Sequence, residues 1–475
     1  MKKIFTLVLF ALILACKSSS NLYLSQDGFI DVSKVGIKPN GKDQSEEIQF
    51  VLDKYRGIGK FYFPKGNYVF ETLHIYEGLQ LKGTKDTWFI RPANCGKYSR
   101  MLNSIKYLHN SDKDSKPIVL SNLNFDGSAD KQGPYDKHQL EQQAMIFLAA
   151  DNKKAGRQIV KISDCYFENG VGDAITVYYN VDLEVNDIVA KNVFRGAITA
   201  TGGYTKIIAD GMKTIGDKYS TGFDIELDAF GYGKTKDIDV VFRNMVLDGG
   251  MDVGMIGGSF LGENIELLGP PFTIYGPKTK IVFKNSKFHN SDIRRGRIFF
   301  PENVLFKKCD FFIQSNNKEP KNLGAISVYM NTSYRTSNHM RLNFDECNFY
   351  LDDKLENKNV TGIKIYPDDE ELDNLITLNS CKFSGPYTNN IYFNQGGSIT
   401  ADNITLDGKN GIVLNSALSK RSYYYSAKFK NVKSPTDSTL LVRYKDDENN
   451  KIKFDSKISR LEPILGKSKT KIEKR

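Results

Sequence analysis

Three carboxylates fall within five residues of Phe223-Asp224-Ile225-Glu226-Leu227-Asp228. In a strand, side chains alternate between faces. Asp224, Glu226 and Asp228 would then share one face while Phe223, Ile225 and Leu227 enter the core. Residues two apart on a strand have α-carbons about 6.5–7 Å apart. Carboxyl groups roughly 6.5–9.5 Å apart leave room for the water of an inverting glycoside hydrolysis, whereas about 5–5.5 Å belongs to retention. Glu226 has like charges on both sides, which raises its pKa most. It is therefore the expected general acid and Asp228 the base, with Asp224 as a substrate contact. The same cluster suits a calcium ion in an eliminating enzyme whose proton is taken by a basic residue. It also suits a solvated strand in a non-catalytic glycan-binding protein.

Other short strands align with this one on a central Ile. They include Ala174-Ile-Thr-Val-Tyr178, Ala197-Ile-Thr-Ala-Thr201, Thr273-Ile-Tyr275, Ala325-Ile-Ser-Val-Tyr329, Gly362-Ile-Lys-Ile-Tyr366 and Asn390-Ile-Tyr-Phe-Asn394. The alignment gives one outward column of Thr176, Thr199, Glu226, Tyr275, Ser327, Lys364 and Tyr392. A second holds Tyr178, Thr201, Asp228, Tyr329, Tyr366 and Asn394. Tyrosines offer apolar rings to sugar faces while their hydroxyls stay wet, which makes Tyr178, Tyr275, Tyr329 and Tyr366 candidate substrate contacts. The alternative is an exposed sheet whose tyrosines reflect strand propensity alone. Fixed positive charge for an anionic glycan is available from Lys364 and from Arg294, Arg295 and Arg297. Guanidinium forks bind oxyanions bidentately, and this group falls about 14 Å along the axis at ~4.8 Å per rung. The arginines could equally be a solvated loop, and neighbouring His289 reads as a plain turn residue.

A repeat supplies the frame. The pattern apolar, any, polar, small or apolar, any, large apolar occurs as Leu120-Ser-Asn-Leu-Asn-Phe125, Phe242-Arg-Asn-Met-Val-Leu247, Phe283-Lys-Asn-Ser-Lys-Phe288 and Phe344-Asp-Glu-Cys-Asn-Phe349, among others. Its third position falls at 122, 164, 187, 210, 244, 264, 285, 308, 346, 380, 403 and 431. A short-strand repeat with a commonest spacing of about 20–23 residues is a solenoid signature. The leucine-rich pattern is absent, so the expected fold is all-β, a single-stranded right-handed parallel β-helix of about twelve rungs. Cys165, Cys309, Cys347 and Cys381 occupy the fourth position, where the favoured reading is a small interior hydrophobe and the other a metal or redox stack.

The N-terminal part agrees. Ile30-Asp-Val-Ser-Lys-Val-Gly36, Pro39-Asn-Gly-Lys-Asp43, a helix over 44–55, and Phe61-Tyr-Phe-Pro-Lys-Gly-Asn-Tyr68 follow in order. This run, over 29–84, resembles the opening of the pectate-lyase-like superfamily. The helix should plug the first rung, with Asp43 and Glu46 as a capping box and Ile48, Val51, Leu52 and Tyr55 as its apolar stripe. Glu-x-Asp on one strand of a β-helix is, over 222–228, similar to glycoside hydrolase family 82, the ι-carrageenases. The resemblance implies Glu226 as proton donor, Asp228 as base, and inverting, endo-acting cleavage of β-1,4 bonds in a sulfated galactan. It also implies a water-orienting polar residue on the preceding rung, for which Thr199 and Thr201 are available.

The leader Lys2-Lys3 followed by apolar residues 4–14 reads as a signal peptide. Ile13-Leu14-Ala15-Cys16 resembles a bacterial lipobox, which implies a lipidated Cys16, export, and an anchor at the outer membrane or cell surface. Ordinary cleavage with an unmodified Cys16 is the alternative. Residues 16–28 would be the lipidated Cys and a tether, 29–455 the catalytic domain and 456–475 a basic tail. The formal charge of +10 falls to +8 without Lys2 and Lys3, a balance that favours anionic partners. No nucleic-acid module is present and export favours a glycan, so the expected partner is an anionic polysaccharide, which the resemblance implies is sulfated. Five cysteines remain after Cys16, and an odd number at wide spacing does not look like a disulfide framework. The chemistry requires no cofactor, the fold is compatible with a structural calcium, sodium or chloride ion, and a monomer is expected.

Overall fold

The computed structural model describes residues 24–474 apart from 26, 134–136, 202, 217–220, 226–237, 255–256, 269–271, 276–278, 292–295, 300–301, 315–322, 330–338, 353–359, 366–372, 394–396, 415–424, 435–440, 445–450, 455–459 and 464–469. Cys16, Glu226, Asp228, Arg294, Arg295, Tyr366 and Asn394 lie outside the described residues. Contacts divide the chain into two compact units: residues 1–176 with 180–195, and residues 177–179 with 196–475. Within each, strands pair in parallel with strands one turn on, as Gln158–Ser163 does with Val181–Asn186 in the first and Ile238–Leu247 with Gly258–Leu267 in the second. Each unit is coiled as a right-handed parallel β-helix, the hand that nearly all parallel crossovers take.

The repeat's third position turns out to be a corner. Asn122, Asp164, Asp187, Asn244, Asn264, Asn285, Lys308, Glu346, Ser380, Asn403 and Asn431 all have φ between 50° and 56°. This left-handed conformation is costly for most L-residues and least so for Asn, Asp and Gly, which explains the Asn/Asp bias. The corner amides continue the ladder, Asn285 N donating to Lys307 O at 3.0 Å and Lys308 N to Asp345 O at 2.8 Å. The copy centred on Asp210 is corrected by one residue, because the left-handed corner there is Gly211, φ 75°. In the second unit two corner side chains also chain together with the residue before a third corner. Asn264 Nδ2 donates to Asn244 Oδ1, and Asn244 Nδ2 to Asp210 Oδ1, each at 2.7 Å.

Inward positions stack from rung to rung. In the second unit Phe311, Phe349 and Phe383 form near-parallel pairs at 4.9 and 4.3 Å. In the first, Phe125 lies on Phe167 at 4.9 Å. Each such pair adds about 0.5–1.5 kcal/mol beyond area burial. The fourth-position cysteines are buried and unbridged. The thiols of Cys309, Cys347 and Cys381 donate to the carbonyls of Lys307, Asp345 and Asn379 at 3.3–3.4 Å. Burial pushes the Cys165 thiol up to about 12. These are interior side chains rather than thiolate ligands.

The helix runs Ser45–Lys54, burying Ile48, Val51 and Leu52. Tyr76 Oη donates to Leu52 O at 2.8 Å, and His74 N to Gln49 Oε1 at 2.7 Å, which seat the helix on the strands below it. The expected capping box does not form. Asp43 Oδ1 instead accepts from Ser45 N and Ser45 Oγ at 2.9 and 2.6 Å, and the N-cap is Gln44. The stretch expected to be a tail carries strands. Arg460–Pro463 pairs with Leu441–Tyr444, and Lys471–Lys474 with Lys451–Phe454. No described helix is long and apolar enough to cross a membrane.

Candidate functional site

The strand Thr221–Ile225 carries Asp224 and belongs to the second unit. Its neighbours fix a column of Cα partners in successive rungs. Thr199 is opposite Asp224, Asp224 opposite Asp252, and Asp252 opposite Thr273. Thr273 is then opposite Arg297, Arg297 opposite Ser327, Ser327 opposite Lys364, and Lys364 opposite Tyr392. The residues on either side point inward. Phe223, Ile225, Met251, Val253, Ile274, Ile298, Ile326, Val328 and Ile363 are all buried. The column is therefore outward, with an acidic end at Asp224 and Asp252 and a basic end at Arg297 and Lys364. Three rungs separate Asp224 from Arg297, roughly 14 Å at ~4.8 Å each.

This register corrects the alignment on a central Ile. Ile198 lies opposite Phe223, not Ile225, and Thr199 opposite Asp224. Phe223 and Ile225 both face the core, so a slip of two residues keeps every side chain on its face and the alternation cannot detect it. Tyr275 moves as well. It stands in the second column, where Gly254, Tyr275, Phe299 and Tyr329 are successive partners. Its ring stacks on Phe299 at 4.5 Å and 4°. Thr273 takes its place in the first column. Arg297, expected in a loop before a strand, is within Gly296–Phe299 and exposed.

Nor is the face as open as an exposed sheet. Thr199 and Ser327 are 0% exposed and Thr201 8%, while Asp224, Asp252, Tyr275, Lys364 and Tyr392 are half-buried. The hydroxyls of Thr201 and Ser327 find no hydrogen-bond partner among the described residues. Tyr178 follows the strand Ile175–Val177, is half-buried, packs edge-on to Tyr179 at 6.1 Å, and its carbonyl accepts from Thr205 Oγ1 at 2.9 Å. His289 is not a turn residue. It lies in Lys287–Ser291, stacks on Phe312 at 4.7 Å, and its Nε2 is 3.3 Å from Glu266 Oε1.

Asp252 was missed by sequence reasoning, which left Gly250-Met-Asp-Val-Gly254 out of the alignment. Its flanking inward Met and Val were the available signal. Burial raises its pKa, opposed by a hydrogen bond from the Thr273 hydroxyl and by the charge of Arg297. A carboxyl held above its usual range keeps its proton longer, which is what a general acid requires. Among the described residues no group of three or more His, Cys, Asp or Glu is placed to hold a metal ion.

The fold has solved counterparts. One is a tailspike protein of E. coli bacteriophage HK620, a mutant in complex with a pentasaccharide. It is 11% identical over 93% of this chain and 77% of its own, with a TM-score of 0.50. Two others score lower. The A-module of a mannuronan C-5 epimerase from Azotobacter vinelandii is 14% identical over 92% and 100% of the two chains, TM-score 0.47. PfbA, a surface adhesin of Streptococcus pneumoniae, is 13% identical over 90% of each, TM-score 0.39. At such identities the likeness is one of fold. No family model matches the sequence, and no curated protein does.

Proposed function

We propose that this protein is an inverting, endo-acting glycoside hydrolase that cleaves β-1,4 bonds of a sulfated galactan resembling ι-carrageenan. The observation that carries the reading is the outward column, in which Thr199, Asp224, Asp252 and Arg297 share one face. In the sequence Glu226 and Asp228 follow Asp224 at intervals of two. Glu226 protonates the leaving oxygen, and Asp228 takes a proton from the water that attacks the opposite face of the sugar. Thr199 and Thr201, on the preceding rung, would orient that water. Arg294, Arg295, Arg297 and Lys364 supply charge for sulfate, and Tyr178, Tyr275, Tyr329 and Tyr366 apolar area for sugar faces. The tailspike of like fold holds a pentasaccharide, and an extended glycan is the ligand this face suits. Export through the leader and a lipid on Cys16 would put a monomeric enzyme at the cell surface. Cys16→Ser should then release it from the membrane fraction, and unchanged association would end the lipoprotein reading.

A second reading, a calcium-dependent lyase on pectin or alginate, gains from one observation. Asp252 adds a carboxylate beside Asp224, so the acidic cluster is larger than the sequence alone suggested. The two readings separate on a panel of anionic polysaccharides followed by reducing ends and ultraviolet absorbance. Hydrolysis gives reducing ends without an absorbing product and resists chelators. Elimination gives an unsaturated, absorbing product and is stopped by them. Glu226→Gln and Asp228→Asn should each lower turnover about 10²–10⁴-fold with binding retained. Near-normal turnover in both would place the chemistry elsewhere.

A further inference from the structure

Ser327 sits in the column with a cation on the rung to either side: Arg297 is its Cα partner in one direction and Lys364 in the other. Arg297 is exposed, Lys364 is half-buried, and Ser327 has no exposed surface. Its hydroxyl makes no hydrogen bond among the described residues, although a buried hydroxyl ordinarily finds a partner. Ser327 is thus a short, covered side chain between two long cationic ones. The two cations flank it at about 9.6 Å between α-carbons, two rungs of ~4.8 Å. We propose that Arg297, Ser327 and Lys364 form a fixed subsite for an oxyanion substituent, a sulfate ester or a carboxylate, on a glycan lying along the column.

The chemistry is specific to that group. A guanidinium offers paired N–H donors to two oxygens of a sulfate or carboxylate. The ammonium of Lys364 adds charge from the far side, and the Ser327 hydroxyl donates to an oxygen that reaches the strand. A neutral sugar hydroxyl would use none of the charge. Because Ser327 is covered, an anion must displace what covers it to reach the hydroxyl. The tyrosine-like platform of Tyr275 and Phe299, stacked at 4.5 Å, runs alongside in the second column and would take the apolar face of a neighbouring sugar. The subsite deepens the glycan reading above and rests on it only for the identity of the polymer.

The test is calorimetric binding to the full chain, independent of turnover. The probes are a sulfated galactan oligosaccharide, its desulfated counterpart and an oligouronate, each at low and raised salt. The sulfated probe should bind Arg297→Ala about 10–100-fold more weakly than wild type, the scale of a lost charged hydrogen bond. Ser327→Ala and Lys364→Met should each lose several-fold, with thermal unfolding unchanged and the desulfated probe unaffected. The same pattern on the oligouronate alone would support the subsite with a carboxylate as occupant. Equal losses on the desulfated probe, or undiminished binding in Arg297→Ala and Ser327→Ala, would overturn it. Wild-type binding that depends on these residues without any cleavage would sink the hydrolase reading and leave the subsite standing. Cleavage that ignores them would do the reverse.

Discussion

At Asp252 burial works against charge. Its carboxyl titrates above the ordinary range when folded because water is withdrawn from it, even though Thr273 and Arg297 favour the charged form. The unfolded chain therefore loses this proton at lower pH than the folded one. The contribution to stability is greatest below the unfolded value, near 3.9, and is lost as pH rises through the folded value. Asp252→Asn removes the penalty. We expect the variant to unfold at a higher temperature than wild type at neutral pH, with the gap closing as pH falls toward 4. Parallel unfolding curves across that range would show that Asp252 is not held above its usual range. If Asp252 also assists the chemistry, the stabilised variant will be the slower enzyme, the usual exchange at a functional carboxylate.

Strand corners explain what the repeat only hinted at. Lys308, Glu346 and Ser380 occupy left-handed positions with φ 54°, 53° and 52°, where an L-residue with a Cβ pays about 1–2 kcal/mol relative to Gly, and Asn less. Lys308 and Glu346 lie 3.8 Å apart across the rungs, both well exposed, and such a pair is worth little. Lys308→Asn should therefore stabilise by about 0.5–1 kcal/mol, read as a higher urea midpoint with an unchanged slope. A lower midpoint would show that the ion pair outweighs the backbone. The solenoid was legible because corner, core and period all leave marks in residue type. The register of the strand that carries Asp224 was not, because Phe223 and Ile225 are interchangeable to a pattern of period two. Arg297 was legible as a cation but not as a strand residue, and Asp252 was overlooked between Gly250 and Gly254. Glu226 and Asp228 stand as expectations on a strand whose described part ends at Ile225.

For a whole unit, stability is close to a sum over rungs and their nearest neighbours. Phe349 lies between Phe311 and Phe383 in the second unit and is fully buried. Phe349→Ala should cost about 3–5 kcal/mol, and hydrogen exchange should speed up first in the strands directly above and below it. Uniform acceleration along the unit would contradict the nearest-neighbour picture. The column obeys the same arithmetic. Asp252, Thr273 and Arg297 are spaced by whole rungs, so the distance from carboxylate to cation is a count and not a continuous variable. Evolution can lengthen such a gauge only by a full turn of chain, about 4.8 Å at a time. Under the hydrolysis proposed above, a polymer lying along it would meet its charge and its cut at intervals that change in steps, so related chains with one rung more or fewer would leave fragments of discretely different length.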